Sequence, residues 1–287
     1  MLSSNSNSYV FSLIQTSQNR REDLKRFVKS LNGQEHFDFS QLHFIFVDQG
    51  HNKDVFDELN KKICFTYISI EQCSLSHARN LALPYVKGKY VGFPDDDCWY
   101  EPHTLHRVLE VLEMGKYDGV SGKGTNENGF KTSGFPNEAR DITISKQCAA
   151  ISYTLFLRFE PSVLFDENMG VGSKYNLGAG EETDYMLRLI EQFDFQIYYD
   201  PNIIVHHPIR SGNHSQEFYL NKAYSYARGE GYLMKKHRFS YLYYLKQFLR
   251  PLGGCLYFAL KFNKYRMKKS FFLLKGRIEG VLFNVND

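Results

Sequence analysis

The sequence predicts an α/β fold, in which helices flank a β-sheet. Short apolar runs alternate with amphipathic helical patterns over the first two-thirds of the 287 residues, as expected when strands and helices follow one another along the chain. A hydrophobic fraction of 43% is that of an ordinary globular protein and is sufficient for a large core.

Five apolar runs have the character of strands. The fourth is stopped by Pro94, which cannot continue a ladder of hydrogen bonds, and the fifth opens at Gly119. The runs cover residues 9–14, 43–47, 65–70, 88–93 and 119–121.

Helices are predicted where apolar side chains recur at three- and four-residue spacing. One follows the first strand, one follows the fourth strand, and one begins near residue 181. Their apolar positions are Leu24, Phe27, Val28 and Leu31; Leu105, Val108, Leu109 and Leu112; and Met186, Leu189, Ile190 and Phe193.

The charge distribution divides the chain in two. Up to Pro208 there are 20 Lys and Arg residues against 28 Asp and Glu, whereas the remainder has 15 against 4, and the overall net charge is only +3. The same remainder carries 17 of the 45 aromatic residues. We therefore expect an α/β domain over residues 1–208 and a basic, aromatic, helical region over residues 209–287.

The sequence shows neither a targeting segment nor a cysteine pattern typical of secreted proteins. The N-terminal segment MLSSNSNSYV lacks the basic and apolar parts of a signal peptide, and no segment has the roughly 20 apolar residues needed to span a bilayer. The five cysteines include no CxxC pair, so they suggest neither a disulfide framework nor a cysteine zinc site. These features predict a cytoplasmic protein.

Three consecutive carboxylates, those of Asp95, Asp96 and Asp97, follow the fourth strand in the stretch FPDDDCWY. Like charges this close disfavour folding, so such a cluster is typical of a site where a cation offsets them. A hard divalent cation such as Mg²⁺ or Mn²⁺ prefers oxygen ligands and commonly joins protein carboxylates to substrate phosphates. A solvated acidic turn is the alternative interpretation.

Two polar residues earlier in the chain also follow strands. Thr16 comes after the first strand and Asp48 ends the second. Because ligands of α/β sheets lie at the carboxyl ends of strands, both side chains are predicted to line one cleft with the aspartates. Each could instead be a turn or cap residue.

Two later stretches contain further functional groups. In GAGEETDY, the acids Glu181, Glu182 and Asp184 open a helix, although acids are also favoured there by the helix dipole alone. In YDPNIIVHHP, an apolar strand ends in His206 and His207, which offer imidazole ligands.

Together these motifs resemble the inverting family-2 glycosyltransferases of the GT-A fold, of the bacterial kind used in capsule, O-antigen or other cell-surface polysaccharide synthesis. The resemblance covers about residues 9–208 and implies a Rossmann-like, nucleotide-diphospho-sugar transferase mixed sheet flanked by helices, followed by the basic helical extension. It is carried by the strand ends at Thr16 and Asp48, the segment Ala78-Arg79-Asn80, GKYVGFPDDD, Phe165-Asp166-Glu167, GAGEETDY and the P-x5-H ending from Pro201 to His207.

For the donor, the resemblance implies contacts with the nucleoside and the sugar. Thr16 and Asp48 would contact the nucleoside, with Asp48 reading the base edge, and Arg79 would lie near the donor. Asp96 would face the donor ribose or sugar, and Asp95 would also belong to this donor site. A UDP-sugar is the favoured donor.

For the metal, Mn²⁺ or Mg²⁺, the resemblance implies ligands at both ends of an Asp-x-Asp motif. Asp95 and Asp97 are the outer members of that motif, and Asp97 is the favoured direct ligand. His207, six positions after Pro201, stands where the family often has a histidine that contacts metal or diphosphate, and His206 is the alternative.

For catalysis, the resemblance implies that Glu182 takes the proton from the attacking sugar hydroxyl, which is a poor nucleophile until a carboxylate does so. Glu181 and Asp184 would help to bind the acceptor. The sequence departs from the family at this point, because Glu182 is one methylene longer than the usual aspartate. The pair after the second strand is also changed, to Asp48-Gln49, which leaves one donor contact open.

The basic tail favours a membrane surface as partner. Its longest apolar run, residues 252–260, is too short to cross a bilayer, but lysines and arginines interleaved with Phe, Tyr and Leu suit helices in an anionic interface. Helices that cover the sheet or form a dimer are the alternative. No nucleic-acid partner is predicted, because the acidic first part of the chain would oppose it.

The predicted function is therefore metal-dependent, inverting transfer of a sugar from a nucleotide-diphosphate sugar to a glycan, in particular a lipid-linked polysaccharide repeat on the cytoplasmic face of a membrane. A sugar-nucleotide pyrophosphorylase would also use an α/β sheet and Mg²⁺, but would be expected to have a glycine-rich loop where the sequence reads QTSQNRRED. A non-catalytic, membrane-bound assembly factor of the same fold is the second alternative.

Overall fold

The structure is a computed structural model that describes residues 9–144, 151–209 and 214–285. Within these residues the chain forms two compact units, each assembled from separate segments. The predicted boundary after residue 208 lies next to residues 210–213, which are outside the described residues. The first unit comprises residues 9–73, 78–144, 151–164 and 188–209, and the second comprises residues 74–77, 165–187 and 214–285.

The described part of the first unit contains a mixed sheet of nine strands. All five predicted strand runs and the predicted strand before the two histidines are confirmed, and three short strands, β5, β7 and β8, are added to them. The strands are β1 (Tyr9–Ser17), β2 (Leu42–Asp48), β3 (Cys64–Ser69), β4 (Gly88–Gly92), β5 (Trp99–Tyr100), β6 (Gly119–Thr125), β7 (Arg140–Ile142), β8 (Leu155–Arg158) and β9 (Ile197–His206).

Strand order determines which strand ends are neighbours. The order is β3-β2-β1-β4-β8-β6-β9-β5, with β7 paired to β9. The pairs β1–β2, β1–β4 and β2–β3 are parallel, so the carboxyl ends of the first four strands meet at one edge of the sheet. Strand β8 is antiparallel to both β4 and β6, which makes the sheet mixed.

The described residues also form seven α-helices, which include every helix that the spacing of apolar side chains predicts. They are α1 (Arg21–Asn32), α2 (Leu75–Ala82), α3 (Thr104–Glu113), α4 (Glu181–Phe193), α5 (Gln216–Lys236), α6 (Tyr241–Leu260) and α7 (Lys264–Leu282). None of these helices is both long enough and apolar enough to span a membrane.

Helices α1 and α3 flank the sheet through their predicted apolar faces. Phe27 of α1 is fully buried, with its ring 5.7 Å from that of Phe44 in β2 and edge-on to Tyr100 at 5.5 Å. Leu105 and Val108 of α3 are also fully buried and belong to the same apolar core. Burial of these faces positions the carboxyl edge of the sheet.

In the second unit, helices α5 and α7 pack so closely that glycine is required at the contact. A Cβ atom on Gly231 would lie 2.3 Å from the carbonyl oxygen of Arg277, and one on Gly280 would lie 2.0 Å from that of Arg228. Such distances are far below van der Waals contact, so any larger side chain forces the helices apart. The pair is also joined by an ion pair between Arg277 and Glu230, with 2.8 Å between Nη2 and Oε2.

We expect Gly280→Leu to lower the free energy of unfolding by about 1–3 kcal/mol, the usual cost of overpacking. Gly253→Ala is the matched control, because Gly253 lies inside α6 and a Cβ there would meet no atom within 4 Å. That control should be slightly stabilising, since alanine favours helices. Urea unfolding of both variants is the measurement. Equal loss of stability would contradict the packing described here.

Candidate active site

The acidic cluster lies at the carboxyl edge of the sheet, because β4 ends at Gly92 and Pro94 turns the chain there. The end of β1 contacts the cluster directly. Gln15 donates from Nε2 to the carbonyl oxygen of Asp95 at 3.0 Å, and the hydroxyl of Ser17 donates to Asp96 Oδ2 at 2.7 Å. The two strand ends are therefore neighbours, as their parallel pairing requires.

Asp95, Asp97 and His207 converge on one point. One ligand atom from each lies within 4.8 Å of the others. His207 Nε2 is 2.9 Å from Asp97 Oδ1 and 3.9 Å from Asp95 Oδ2. Two carboxylates and an imidazole from separate strand ends form a donor set that suits a divalent cation, and the carboxylates suit Mg²⁺ and Mn²⁺ in particular. The residues present therefore fit the metal that the sequence predicts.

His207 is held in place by its surroundings. Its backbone N–H donates to the carbonyl oxygen of Thr125 at 2.8 Å, and its ring stacks on that of Tyr153 with centroids 4.9 Å apart. Burial lowers the pKa of the imidazole, but the hydrogen bond with Asp97 and the negative charges of Asp97 and Asp95 outweigh that effect, so the pKa is raised.

His206, the alternative ligand, points elsewhere. Its ring stacks on Trp99 with centroids 5.1 Å apart, its Nε2 lies 3.3 Å from Glu101 Oε1, and its Nδ1 lies 3.0 Å from the hydroxyl oxygen of Thr125. Successive side chains of an extended segment point to opposite sides, so only one of the two histidines can face the aspartates. The structure gives that position to His207.

Protein cations offset part of the acidic charge. Arg20 Nη1 lies 2.5 Å from Asp97 Oδ2 and 3.1 Å from Asp96 Oδ1. Arg79, with only 2% of its side chain exposed, places Nη2 3.3 Å from Asp95 Oδ1. Arg79 was predicted near this site, whereas Arg20 was not. Arg20 lies four residues after Thr16 and just beyond the end of β1. That position is the signal that could have identified Arg20 as part of the site.

Asp96 differs from Asp95 and Asp97 in the environment of its carboxyl group. Burial raises the pKa of its carboxyl group to about 6, although the charge of Arg20 and the hydrogen bond from Ser17 oppose the rise. Asp95 accepts a further hydrogen bond, 2.9 Å long, from the hydroxyl of Ser152, a residue that the sequence did not indicate. The three aspartates thus have three different sets of partners.

Asp48 is held by donors from the loop after β2 and from β3, and its contact with a base edge stays a prediction. Its side chain is fully buried, and its two oxygens accept hydrogen bonds from the backbone N–H groups of Gly50 and Asn52, the amide of Asn52 and the hydroxyl of Tyr67, at 2.7 to 2.9 Å. These contacts shape the loop after β2. Thr16 lies half-buried at the end of β1, in register with Val47.

The second acidic group lies in the second unit, in the first turn of α4. Gly180 precedes the helix with φ of +97°, a conformation that favours glycine. The three acids differ in exposure, because Glu181 is 5% exposed, Asp184 has no exposed surface and Glu182 is intermediate. Glu182 is therefore the most exposed residue of the three, although its Oε2 atom is buried.

Asp184 contacts two side chains near the end of α5, and its role in binding an acceptor stays a prediction. Its Oδ1 lies 2.7 Å from Lys236 Nζ and 2.9 Å from His237 Nε2. Lys236 also lies 2.7 Å from Asp166 Oδ2. Buried carboxylates need such partners, so the contacts support a role in holding the start of α4.

A comparison with protein-family models finds a match that covers the acidic motif. The model described as Glycosyl transferase family 2 matches residues 12–169, which include Arg79 and the three aspartates. No curated protein matches the chain.

Solved structures resemble the chain over most of its length. TarS 1-349 of S. aureus in complex with UDP-GlcNAc has a TM-score of 0.58 at 16% identity, over 95% of this chain and 92% of that one. The mannosyltransferase PcManGT from Pyrobaculum calidifontis, in complex with GDP-Man and Mn²⁺, has a TM-score of 0.62 at 12% identity, over 96% and 88%. Against a longer TarS chain, the chain spans 42% of that protein's length. These similarities confirm the GT-A fold.

Proposed function

The chain belongs to glycosyl transferase family 2, and on that basis we propose that it transfers a sugar from a nucleotide-diphosphate sugar to a hydroxyl of a glycan acceptor, with the aid of a divalent cation and with inversion of the anomeric centre. The observation that carries this proposal is the convergence of Asp95, Asp97 and His207. Family membership favours sugar transfer over the nucleotidyl transfer of a pyrophosphorylase.

The donor side of the reaction is assigned to the first unit. Asp95, Asp97 and His207 would hold Mn²⁺ or Mg²⁺, and Arg79 fixes the orientation of Asp95. When bound, the cation offsets negative charge on the diphosphate leaving group. The similar structures contain UDP-GlcNAc and GDP-Man, which supports a nucleotide-sugar donor, and a UDP-sugar remains the favoured one.

Glu182 is assigned as the general base that takes the proton from the acceptor hydroxyl. A general base has to be accessible to the hydroxyl that it deprotonates, and Glu182 is the most exposed acid in the first turn of α4. Glu181 remains the second candidate for contact with the acceptor. A single displacement assisted by one such base inverts the anomeric centre.

The acceptor is proposed to be lipid-linked, with α6 on the cytoplasmic surface of a membrane. Six leucines recur along one face of α6 and are between 40% and 79% exposed: Leu242, Leu245, Leu249, Leu252, Leu256 and Leu260. From 241 to 282 there are nine Lys and Arg residues and one acid, Glu279. An exposed apolar stripe in a basic surrounding is suited to an anionic bilayer interface.

The donor site is tested by calorimetry with nucleotide diphosphates and their sugars, with and without Mn²⁺. We expect one nucleotide to bind in a metal-dependent way and Asp97→Asn to raise its dissociation constant by about 100-fold or more, as loss of a metal ligand should. Asp54→Asn is the matched control, since Asp54 also pairs with an arginine, Arg21, but on the surface.

Circular dichroism of Asp97→Asn would show that the variant is folded. Metal-independent nucleotide binding, unchanged in the variant, would contradict the assigned metal site. Absence of any nucleotide binding by the wild-type chain would favour the non-catalytic assembly factor instead.

The membrane surface is tested by cosedimentation with vesicles of phosphatidylglycerol or of phosphatidylcholine. We expect binding only to the anionic vesicles and its loss in the variant Leu249→Ser/Leu256→Ser. Met114→Ser is the control, because Met114 is 70% exposed in the first unit. If the leucine variant instead converts a dimer to a monomer without changing vesicle binding, the stripe is a subunit interface.

A further inference from the structure

We propose that Glu35, His36 and His103 form a second metal site, on the surface of the first unit, for a transition ion of the Zn²⁺ class. The site is separate from the Asp95 cluster in position and in chemistry, and the inference does not depend on the proposed function. One ligand atom from each residue lies within 4.8 Å of the others. In the sequence, His36 and His103 are far apart, so the fold alone brings them together.

The distances fit a single ion. Zn²⁺ bonds to histidine nitrogen and carboxylate oxygen at about 2.0–2.2 Å, so two ligand atoms of a tetrahedral site lie roughly 3.4 Å apart. Glu35 Oε2 lies 3.6 Å from His103 Nε2. The same bond lengths place the centroids of two ligating imidazole rings about 5 Å apart. The rings of His36 and His103 have centroids 5.6 Å apart.

The backbone that carries these donors is held by three hydrogen bonds. The N–H of Glu35 donates to the carbonyl oxygen of Pro102 at 2.7 Å. Gln34 clamps the same two segments, since its Nε2 donates to the carbonyl oxygen of Glu101 at 2.8 Å and its Oε1 accepts from the N–H of Leu105 at 3.0 Å. The two backbone segments that carry the donors are therefore held together without an ion, which favours a defined geometry.

The donor set selects the ion. Two imidazoles and one carboxylate suit Zn²⁺ and related ions, whereas Mg²⁺ prefers oxygen alone. His106 lies beside the group, with the centroid of its ring 5.6 Å from that of His36, although its ligand atoms are not among those that converge. His106 Nε2 lies 3.4 Å from Glu110 Oε1, a carboxylate that can orient the imidazole. A bound ion would link the loop after α1 to the start of α3.

The test is a competition titration of Zn²⁺ against a chromophoric chelator. The group of Asp95, Asp97 and His207 also has donors for Zn²⁺, but it is intact in every protein compared and contributes equally to each. We expect the wild-type chain to bind one equivalent of Zn²⁺ more than His36→Ala or His103→Ala, in which the dissociation constant of that equivalent is raised by about 100-fold or more. His51→Ala, at an exposed histidine of the same unit, is the control and should retain the equivalent.

Co²⁺ substitution provides a second, spectroscopic readout. A site with nitrogen and oxygen donors in tetrahedral geometry should produce strong visible absorption in the wild-type and His51→Ala chains and not in His103→Ala. His51→Ala and His103→Ala change side chains at the surface, so circular dichroism should show that both variants are folded. Equal Zn²⁺ affinity in all four proteins, or no competition with the chelator by the wild-type chain, would overturn the proposal.

Discussion

Replacement of Glu182 by glutamine is expected to lower kcat by about 10²–10⁴-fold, the usual contribution of a general base, while the dissociation constant of the nucleotide-sugar donor stays unchanged. Glutamine keeps the shape of the side chain and removes only its ability to take a proton. The attacking hydroxyl then remains a poor nucleophile. Steady-state kinetics and donor calorimetry on the same preparation separate the two effects.

Two further variants sharpen this prediction. Glu181→Gln should affect kcat less than Glu182→Gln, because Glu181 is only 5% exposed. Glu182→Asp should retain part of the activity, since a carboxylate is still present but one methylene further from its target. A Glu182→Gln enzyme with full turnover would exclude this residue as the base, and a larger loss in Glu181→Gln would transfer the role to its neighbour.

Replacement of Asp184 by alanine is expected to lower the free energy of unfolding by about 3–5 kcal/mol, the cost of breaking a buried ion pair by removal of one partner. Lys236 and His237 both lie within 2.9 Å of the Asp184 carboxylate, and the carboxylate is fully buried. The variant removes the acceptor of the buried His237, whereas Lys236 keeps its pair with Asp166. Denaturant unfolding followed by circular dichroism is the measurement.

Glu167→Ala is the matched control for Asp184→Ala. Glu167 also pairs with a histidine in the second unit, with 2.9 Å between its Oε2 and His77 Nδ1, but both side chains are more than 40% exposed. Exposed pairs contribute little, so its change should stay below about 1 kcal/mol. If Asp184→Ala unfolds like the wild type yet loses activity, Asp184 acts on the acceptor, as the sequence suggested, and not as a structural partner.

Local patterns were sufficient to predict most of the first unit. The runs at residues 9–14, 43–47, 65–70 and 88–93 became β1 to β4, because short apolar runs are favoured in a sheet. The apolar side chains of β1, β2 and β4 are mostly buried, whereas those of β3, at the end of the strand order, are only partly buried. The helix after β1 was predictable for the same reason, since its periodic apolar face is what the core buries. The short strands β5 and β7 carry too few residues for any such pattern.

Side-chain partners were much harder to predict. The sequence suggested that three adjacent carboxylates require a metal ion, but Arg20 and Arg79 already offset part of their charge. Similarly, the sequence did not indicate that donors from its own loop and from β3 surround Asp48, whose contact with a ligand stays a prediction. The partners of the three aspartates and of Asp48 come from other segments of the chain. The pattern of residues along the sequence does not show which segments come into contact.

The sequence by itself determined the fold class, the family and the strand end that carries the acidic motif, because these depend on local periodicity and on motifs of adjacent residues. Only the tertiary structure decided which of two adjacent histidines faces Asp97, which acidic residue in the first turn of α4 is the most exposed, and that His36 and His103 meet at the surface. The physical reason is that accessibility, charge pairing and ligand geometry are properties of distances in space, and those distances are set by packing between segments remote in the chain.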